Sequence, residues 1–115
     1  MLGTMYNSGR GVQQDYKAAV KWYALAAGQR HAEAQYDLGV MYAVGQGVPQ
    51  DYKTAVKWST LAAKQGHADA QFMLGVMYRS GQGVPQDYKT AVKWYTLAAE
   101  QGHADAQNML GSMYG

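Results

Sequence analysis

The chain repeats itself with a period of 36 residues. Residues 39–74 and 75–110 differ at five positions, and residues 3–38 are a third copy that matches residues 39–74 at 23 of 36 positions. The five differing pairs are Ala43/Arg79, Val44/Ser80, Ser59/Tyr95, Lys64/Glu100 and Phe72/Asn108. A period of this length is typical of stacked supersecondary units, each too small to bury its apolar face alone. The sequence therefore predicts a solenoid, and it directs the search for function to positions at which the copies differ.

Composition narrows the functional classes. The 115 residues are predicted to form one domain of three periods, 3–38, 39–74 and 75–110, with partial ends, and we interpret it as a piece of a longer array. A net charge of only +2 disfavours a nucleic-acid partner. The absence of cysteine excludes disulfides and thiolate metal sites. No apolar run approaches the roughly 18 residues of a membrane span, so no membrane insertion is predicted, and the compartment stays open.

Each period is predicted to contain two helices, which we call helix A and helix B. In the best-defined copies helix A covers about residues 68–79 and helix B about residues 51–65, each with one apolar and one polar face. The apolar faces are Ala70, Leu74, Met77 and Tyr78 on helix A, and Tyr52, Ala55, Val56, Ser59, Ala62 and Ala63 on helix B. The chain then has about seven helices, as three A/B pairs and an unpaired final helix A.

Turn residues support these boundaries. Asp51 and Asp87 stand where an N-cap is expected, each two residues after a proline. Gly66 and Gly102 stand where a left-handed residue ends helix B. Gly75 lies inside helix A, where glycine costs up to about 1 kcal/mol relative to alanine. We therefore expect another helix to approach closely at that position.

These motifs resemble those of the Sel1-like repeat, a relative of the tetratricopeptide repeats. The pattern is Leu-Gly-x-x-Tyr in helix A, then Gly-x-Gly-Val-Pro-x-Asp, then Ala-Val-Lys-Trp and Leu-Ala-Ala-x-x-Gly. The matching positions in the last period are Leu74, Gly75, Tyr78, Gly81, Gly83, Val84, Asp87, Ala91, Trp94, Ala98, Ala99 and Gly102. The resemblance implies an all-α, right-handed superhelix with the A helices on its concave face, and a scaffold or adaptor role in binding peptides or proteins.

Other repeated residues favour structural roles. His31, His67 and His103 occur once per period, and stacked repeats lie roughly 8–10 Å apart, too far for two imidazoles to share a metal. We expect them at helix N-termini. The tryptophans of helix B are expected to pack between neighbouring B helices, and its paired lysines to form a solvated outer stripe; these residues are Trp22, Trp58, Trp94, Lys17, Lys21, Lys53, Lys57, Lys89 and Lys93.

No catalytic site is predicted. The serines lie in no nucleophile motif, and the carboxylates fall singly at helix starts and not as a converging pair. The glycine-rich turns follow no strand, so a phosphate loop is not indicated. We therefore expect neither an enzyme nor a bound cofactor or metal.

The most informative residues are those of the helix A outer face, opposite its core stripe. This face contains two of the five differences between the closest copies. Tyr36 and Phe72 are expected to lie off the core and to anchor an apolar group of a peptide or protein ligand. Acidic groups outnumber basic ones, which favours a mildly basic ligand. The predicted binding residues are Glu33, Tyr36, Val40, Ala43, Asp69, Phe72, Val76, Arg79, Asp105, Asn108 and Ser112.

An alternative is a self-associating structural or engineered repeat without a specific ligand. Met109, Leu110 and Met113 lie on a final helix A that lacks a helix B. At the other end, helix B over residues 15–29 is expected to be partly uncovered around Tyr16, Ala19, Val20 and Tyr23. Head-to-tail stacking would cover both surfaces.

Overall fold

Both parts of each period fold as α-helices in the computed structural model, which describes residues 15–114. No strand occurs in this range. The helices of type B are α1, α3 and α5, and those of type A are α2, α4 and α6. Their bounds are α1 Tyr16–Gly28, α2 Ala32–Val44, α3 Tyr52–Lys64, α4 Ala68–Ser80, α5 Tyr88–Glu100 and α6 Ala104–Tyr114. The predicted first helix A, near residues 2–6, lies outside the described residues.

The helices stack in chain order. Each packs mainly against the helix before it and the helix after it, with the most extensive contacts between α2 and α3 and between α4 and α5. The molecule extends 46 × 27 × 24 Å. The predicted all-α repeat superhelix is therefore confirmed. None of the helices within residues 15–114 has the length and apolar character that crossing a lipid bilayer requires.

Local hydrogen bonds fix where each helix B begins. The Asp51 side chain accepts from the backbone N–H of Thr54 at 3.3 Å and from its hydroxyl at 2.8 Å. Asp87 does the same with Thr90 at 3.2 and 2.8 Å. These bonds stabilise the ionised carboxylate and lower the pKa of Asp51 and Asp87. The predicted N-caps are confirmed.

The predicted core stripes are buried. On α4 the side chains of Ala70, Leu74 and Met77 are buried and Tyr78 is half-buried. On α3 the residues Ala55, Ser59, Ala62 and Ala63 are buried, whereas Tyr52 and Val56 of the predicted face are half-buried. Four of these core residues are alanines, so the helices can approach closely.

The surroundings of two glycines show this close approach of the helices. A Cβ on Gly75 would lie 2.5 Å from the ring of Tyr95, and one on Gly39 would lie 2.7 Å from the Ser59 hydroxyl. The predicted close approach is therefore confirmed at Gly39 and Gly75. In the turn between helix A and helix B, Gly83 has φ +77° and a Cβ there would lie 2.6 Å from the Tyr52 carbonyl oxygen. The turn thus rests against the first residue of the preceding helix B.

The expected uncovered surface on α1 is not present. Ala19 and Tyr23 are 0% and 3% exposed and belong to a core cluster with α2. Tyr16 and Val20 are half-buried against the same cluster. That part of the head-to-tail expectation was wrong, because α1 contributes these side chains to the core it shares with α2.

Candidate functional site

The predicted binding residues divide into two groups by exposure. All lie on the A-type helices α2, α4 and α6. Glu33, Asp69, Arg79, Asp105, Asn108 and Ser112 are exposed, whereas Tyr36, Val40, Ala43, Phe72 and Val76 are half-buried. The charged and polar members therefore form the accessible part of this face.

Two histidines, His67 and His103, each join the start of a helix A to the preceding repeat. The Nδ1 atom of His67 accepts from the backbone N–H of Ala70 at 3.1 Å, which caps α4. Because Nδ1 is the acceptor, Nε2 is the protonated nitrogen of the neutral ring, and it lies 2.9 Å from the Glu33 carboxylate on α2.

The next repeat uses the same arrangement. His103 accepts from the N–H of Ala106 at 3.1 Å and pairs with Asp69 at 2.8 Å. His31 accepts from Ala34 N–H at 3.3 Å. The predicted helix-start role of the histidines is confirmed. Among the described residues, no group of three or more histidine, aspartate or glutamate side chains could hold a metal ion.

The two aromatic residues of the face lie beneath these histidines. Tyr36 stacks on the His67 ring at a centroid distance of 4.9 Å, and Phe72 stacks on His103 at 4.8 Å. Phe72 also contacts Tyr95, at 5.5 Å between ring centroids, and packs against the core cluster of the next repeat. The expectation that Tyr36 and Phe72 lie off the core was wrong, because each covers the core of the repeat that follows.

A further carboxylate, Asp37, belongs to this face. It is half-buried on α2, one turn from Glu33. Burial, together with the charge of Glu33 and a hydrogen bond to it, raises the pKa of Asp37 to about 6, while His67 and His31 act in the opposite direction. Burial and the nearby Asp69 charge also raise the pKa of Tyr36. The ionised form of Asp37 is therefore held at a cost in free energy.

Sequence reasoning missed Asp37, although a signal was present. The equivalent residues one and two periods later are Met73 and Met109. An aspartate at a position where the other two copies have methionine is a local departure from the repeat. Comparing only the two closest copies, 39–74 and 75–110, concealed it.

Glutamines form a second set of connections between repeats that was also missed. Gln35 is buried, and its amide donates to the Ala27 carbonyl at 3.2 Å while its own oxygen accepts from Gln65 at 2.8 Å. Gln71 and Gln101 repeat this link at 2.9 Å. The available signal was that these glutamines recur in every period. Gln35 and Gln71 also each satisfy one carbonyl group at the end of a helix B, that of Ala27 and that of Ala63.

The outer side of the B helices meets expectation in part. Trp58 packs partly against the core shared by α1 and α2, and Trp94 packs partly against the core shared by α3 and α4. Trp22 is 36% exposed. The six paired lysines are exposed. The Lys57 ammonium lies 5.7 Å from the centre of the Trp58 ring, within reach of a cation–π contact.

These features define a class of protein: an α-helical repeat solenoid whose successive units are joined by histidine and glutamine side chains. The chain belongs to the Sel1 repeat family, whose sequence profile matches residues 1–31, 32–67, 68–103 and 104–115. Proteins of this family are generally non-catalytic scaffolds for interactions between proteins.

Solved structures agree with this assignment. A protective antigen of uropathogenic Escherichia coli with an SLR fold is 49% identical, with a TM-score of 0.96. A Sel1 repeat protein from Oxalobacter formigenes is 42% identical, with a TM-score of 0.93. Each alignment covers 98% of this chain, but only 24% and 46% of the respective partner. The chain thus spans less than half the length of either protein.

A third structure supports the fold alone. The cysteine-rich protein B of Helicobacter pylori is 24% identical, with a TM-score of 0.80, and the alignment covers 94% of this chain and 84% of that one. The search of curated proteins finds no match.

Proposed function

We propose that the helix A outer face binds a segment of another protein that carries a lysine or arginine side chain. The observation that supports this most is the row of carboxylates, one per repeat, on α2, α4 and α6. Glu33 and Asp69 keep 55% and 60% of their side-chain surface exposed even while paired with histidine. Asp105 is also exposed.

The first repeat offers the strongest attraction for such a cation. Glu33 and Asp37 lie one turn apart, and Asp37 is held in a partly desolvated position. A bound cation would relieve the repulsion between the two carboxylates and favour the ionised form of Asp37. The half-buried Tyr36 and Val40 give the same region an apolar surface. Binding of the basic segment is therefore expected to strengthen as the pH rises through about 6.

Selection from random 12-residue peptides displayed on phage tests this proposal. Peptides enriched on the parent chain, but not on the Glu33→Gln/Asp37→Asn variant, are expected to contain lysine or arginine beside an apolar residue. Thermal melting of the variant serves as the control for folding. Enrichment that survives both substitutions, or peptides without basic residues, would refute the proposal.

Self-association without a ligand is the second candidate. Met109, Leu110 and Met113 on α6 are half-buried against α5, and Tyr114 is 78% exposed. A second copy that packed on this helix would cover them. Sedimentation velocity over a hundred-fold range of concentration distinguishes the candidates, because an unchanged sedimentation coefficient excludes this one.

A further inference from the structure

A cleft of about 430 Å³ opens between the turn that joins α1 to α2 and the outer side of α3. Its volume lies within the range of ligand-binding clefts. The α3 helix supplies an indole ring, a leucine side chain and an ammonium group, and the turn supplies a guanidinium group. The main lining residues are Arg30, Gln35, Trp58, Leu61, Lys64 and Gln65.

The lining combines two cations with an apolar wall. Arg30 and Lys64 are exposed and come from different elements, and no carboxylate lines the cleft. Trp58 is half-buried, and Leu61 is 40% exposed. A carboxylate between the two cations could accept charge-assisted hydrogen bonds, while a neighbouring apolar group covered the indole and leucine.

The backbone conformation of Arg30 is energetically unfavourable. It has φ +67° and is the one residue other than glycine with positive φ among residues 15–114. The equivalent residues in the next two periods are Gly66 and Gly102, which adopt this conformation freely. The position is the left-handed end of a helix B, where glycine is the usual residue. The first period therefore places a cationic side chain where the next two periods have none.

The same place one period later, between the turn that joins α3 to α4 and the outer side of α5, provides an internal comparison. We call the two places the first and the second junction. At the second junction Trp94 and Leu97 repeat the apolar wall, but Gly66 stands in place of Arg30 and Glu100 in place of Lys64. The two junctions therefore differ in charge and share their apolar residues. Any ligand that depends on the cations is expected at the first junction alone.

We propose that the cleft defined by Arg30, Trp58, Leu61 and Lys64, here named the basic cleft, binds a peptide segment of another protein in which an aspartate or glutamate lies next to a large apolar residue. Gln65 is exposed at the same cleft; its amide nitrogen already donates to Gln35, and its amide oxygen remains as an acceptor for the peptide backbone. This site is separate from the helix A outer face and has the opposite charge preference. One chain would then bind two chemically different segments.

The test uses the same phage-displayed library with the Arg30→Gly/Lys64→Glu variant. This variant gives the first junction the charge pattern of the second, and it removes backbone strain, so loss of folding is not expected. Peptides enriched on the parent chain over the variant should carry an acidic residue beside leucine, phenylalanine or tryptophan. The affinity of a synthetic copy of such a peptide, measured by calorimetry, should fall at least tenfold on the variant and weaken with added salt.

Two further arms make the result decisive. The Glu33→Gln/Asp37→Asn variant should bind the same acidic peptide as the parent chain does. The reverse variant, Gly66→Arg/Glu100→Lys, should gain a second binding site for it. Equal enrichment on parent and Arg30→Gly/Lys64→Glu chains would overturn the proposal. The proposal would also be overturned if the Arg30→Gly/Lys64→Glu variant lost binding only to vesicles with anionic lipids, or only to a second copy of the chain, and not to the acidic peptide.

Discussion

At the scale of single residues, Arg30 has a cost that can be measured. A left-handed conformation costs a residue with a Cβ roughly 1–2 kcal/mol, and a Cβ at the equivalent Gly66 would meet nothing within 4 Å. We expect Arg30→Gly to raise the free energy of unfolding by about 1 kcal/mol. Urea denaturation measures this change. As the matched control, Gly66→Ala should lower it by a similar amount, and a neutral or destabilising Arg30→Gly would show that the arginine side chain compensates for its backbone.

The ionised form of Asp37 lowers folding stability, so its effect depends on pH. Its pKa is about 6 in the folded chain and 3.8 in its ordinary state, so the folded chain holds the proton more strongly between these values. Folding stability therefore falls as the pH rises through this window. The charges of Glu33, His31 and His67 are already included in the pKa of Asp37. Asp37→Asn should leave stability almost unchanged at pH 4 and raise it at pH 7.

Thermal melting of both chains at a series of pH values checks the Asp37 prediction. The melting temperatures should diverge between about pH 4 and pH 6. A constant difference would mean that packing, and not ionisation, separates the two chains. Asp37→Met, the residue type of the other copies, should stabilise the chain at pH 7 as well.

At the scale of helices, the glycine inside helix A has different surroundings in different repeats. At Gly75 a Cβ would lie 2.5 Å from the Tyr95 ring, whereas at Gly111 it would meet nothing within 4 Å. Gly75→Ala should therefore destabilise the chain by about 1–3 kcal/mol, the range for an overpacked core.

Gly111→Ala is the matched control for Gly75→Ala. It should be neutral or stabilise the chain by up to about 1 kcal/mol, because alanine is the better helix former. Chemical denaturation of both variants gives the comparison. If both substitutions stabilised the chain, the close approach of α4 and α5 at Gly75 would be incorrect.

Helix bounds and core stripes could be predicted because the repeat presents the same signals several times. Asp51 caps α3, and Leu74 is buried, as the pattern indicated. Side chains that contact the next repeat could not be placed in this way. A helical projection shows which side of one helix Phe72 occupies, but it does not show that His103, 31 residues later, covers the ring. For this reason the candidate site was found as a face but its aromatic residues were misjudged.

At the scale of the whole molecule, stability is distributed along a row of neighbouring contacts. Such a stack approximates a sum of local terms and nearest-neighbour terms. Leu74→Ala, at a site with 0% exposure, should cost about 2–5 kcal/mol. Native-state hydrogen exchange should show the largest loss of protection in α3 and α4, whose side chains form the core cluster around Leu74, and the smallest in the terminal helices α1 and α6.

The Leu74→Ala exchange experiment also measures cooperativity. An equal loss of protection in all six helices would mean that the described stack unfolds as one unit and not repeat by repeat. Leu97→Ala, at a residue 37% exposed on the outer side of α5, is the control and should change protection little.

The links between repeats have a consequence for how genes of this kind change. Gln35 pairs with Gln65 and Gln71 pairs with Gln101, so a deletion that joined Gly47 to Val84 would let Gln35 meet Gln101 in the same way. Recombination between the coding segments of the two copies, whose amino-acid sequences differ at five positions, can produce such a deletion and keep the helices in phase. The same event would place Glu100 opposite Arg30 and neutralise the basic cleft. A change in repeat number would thus act as a change of binding specificity, with the architecture conserved.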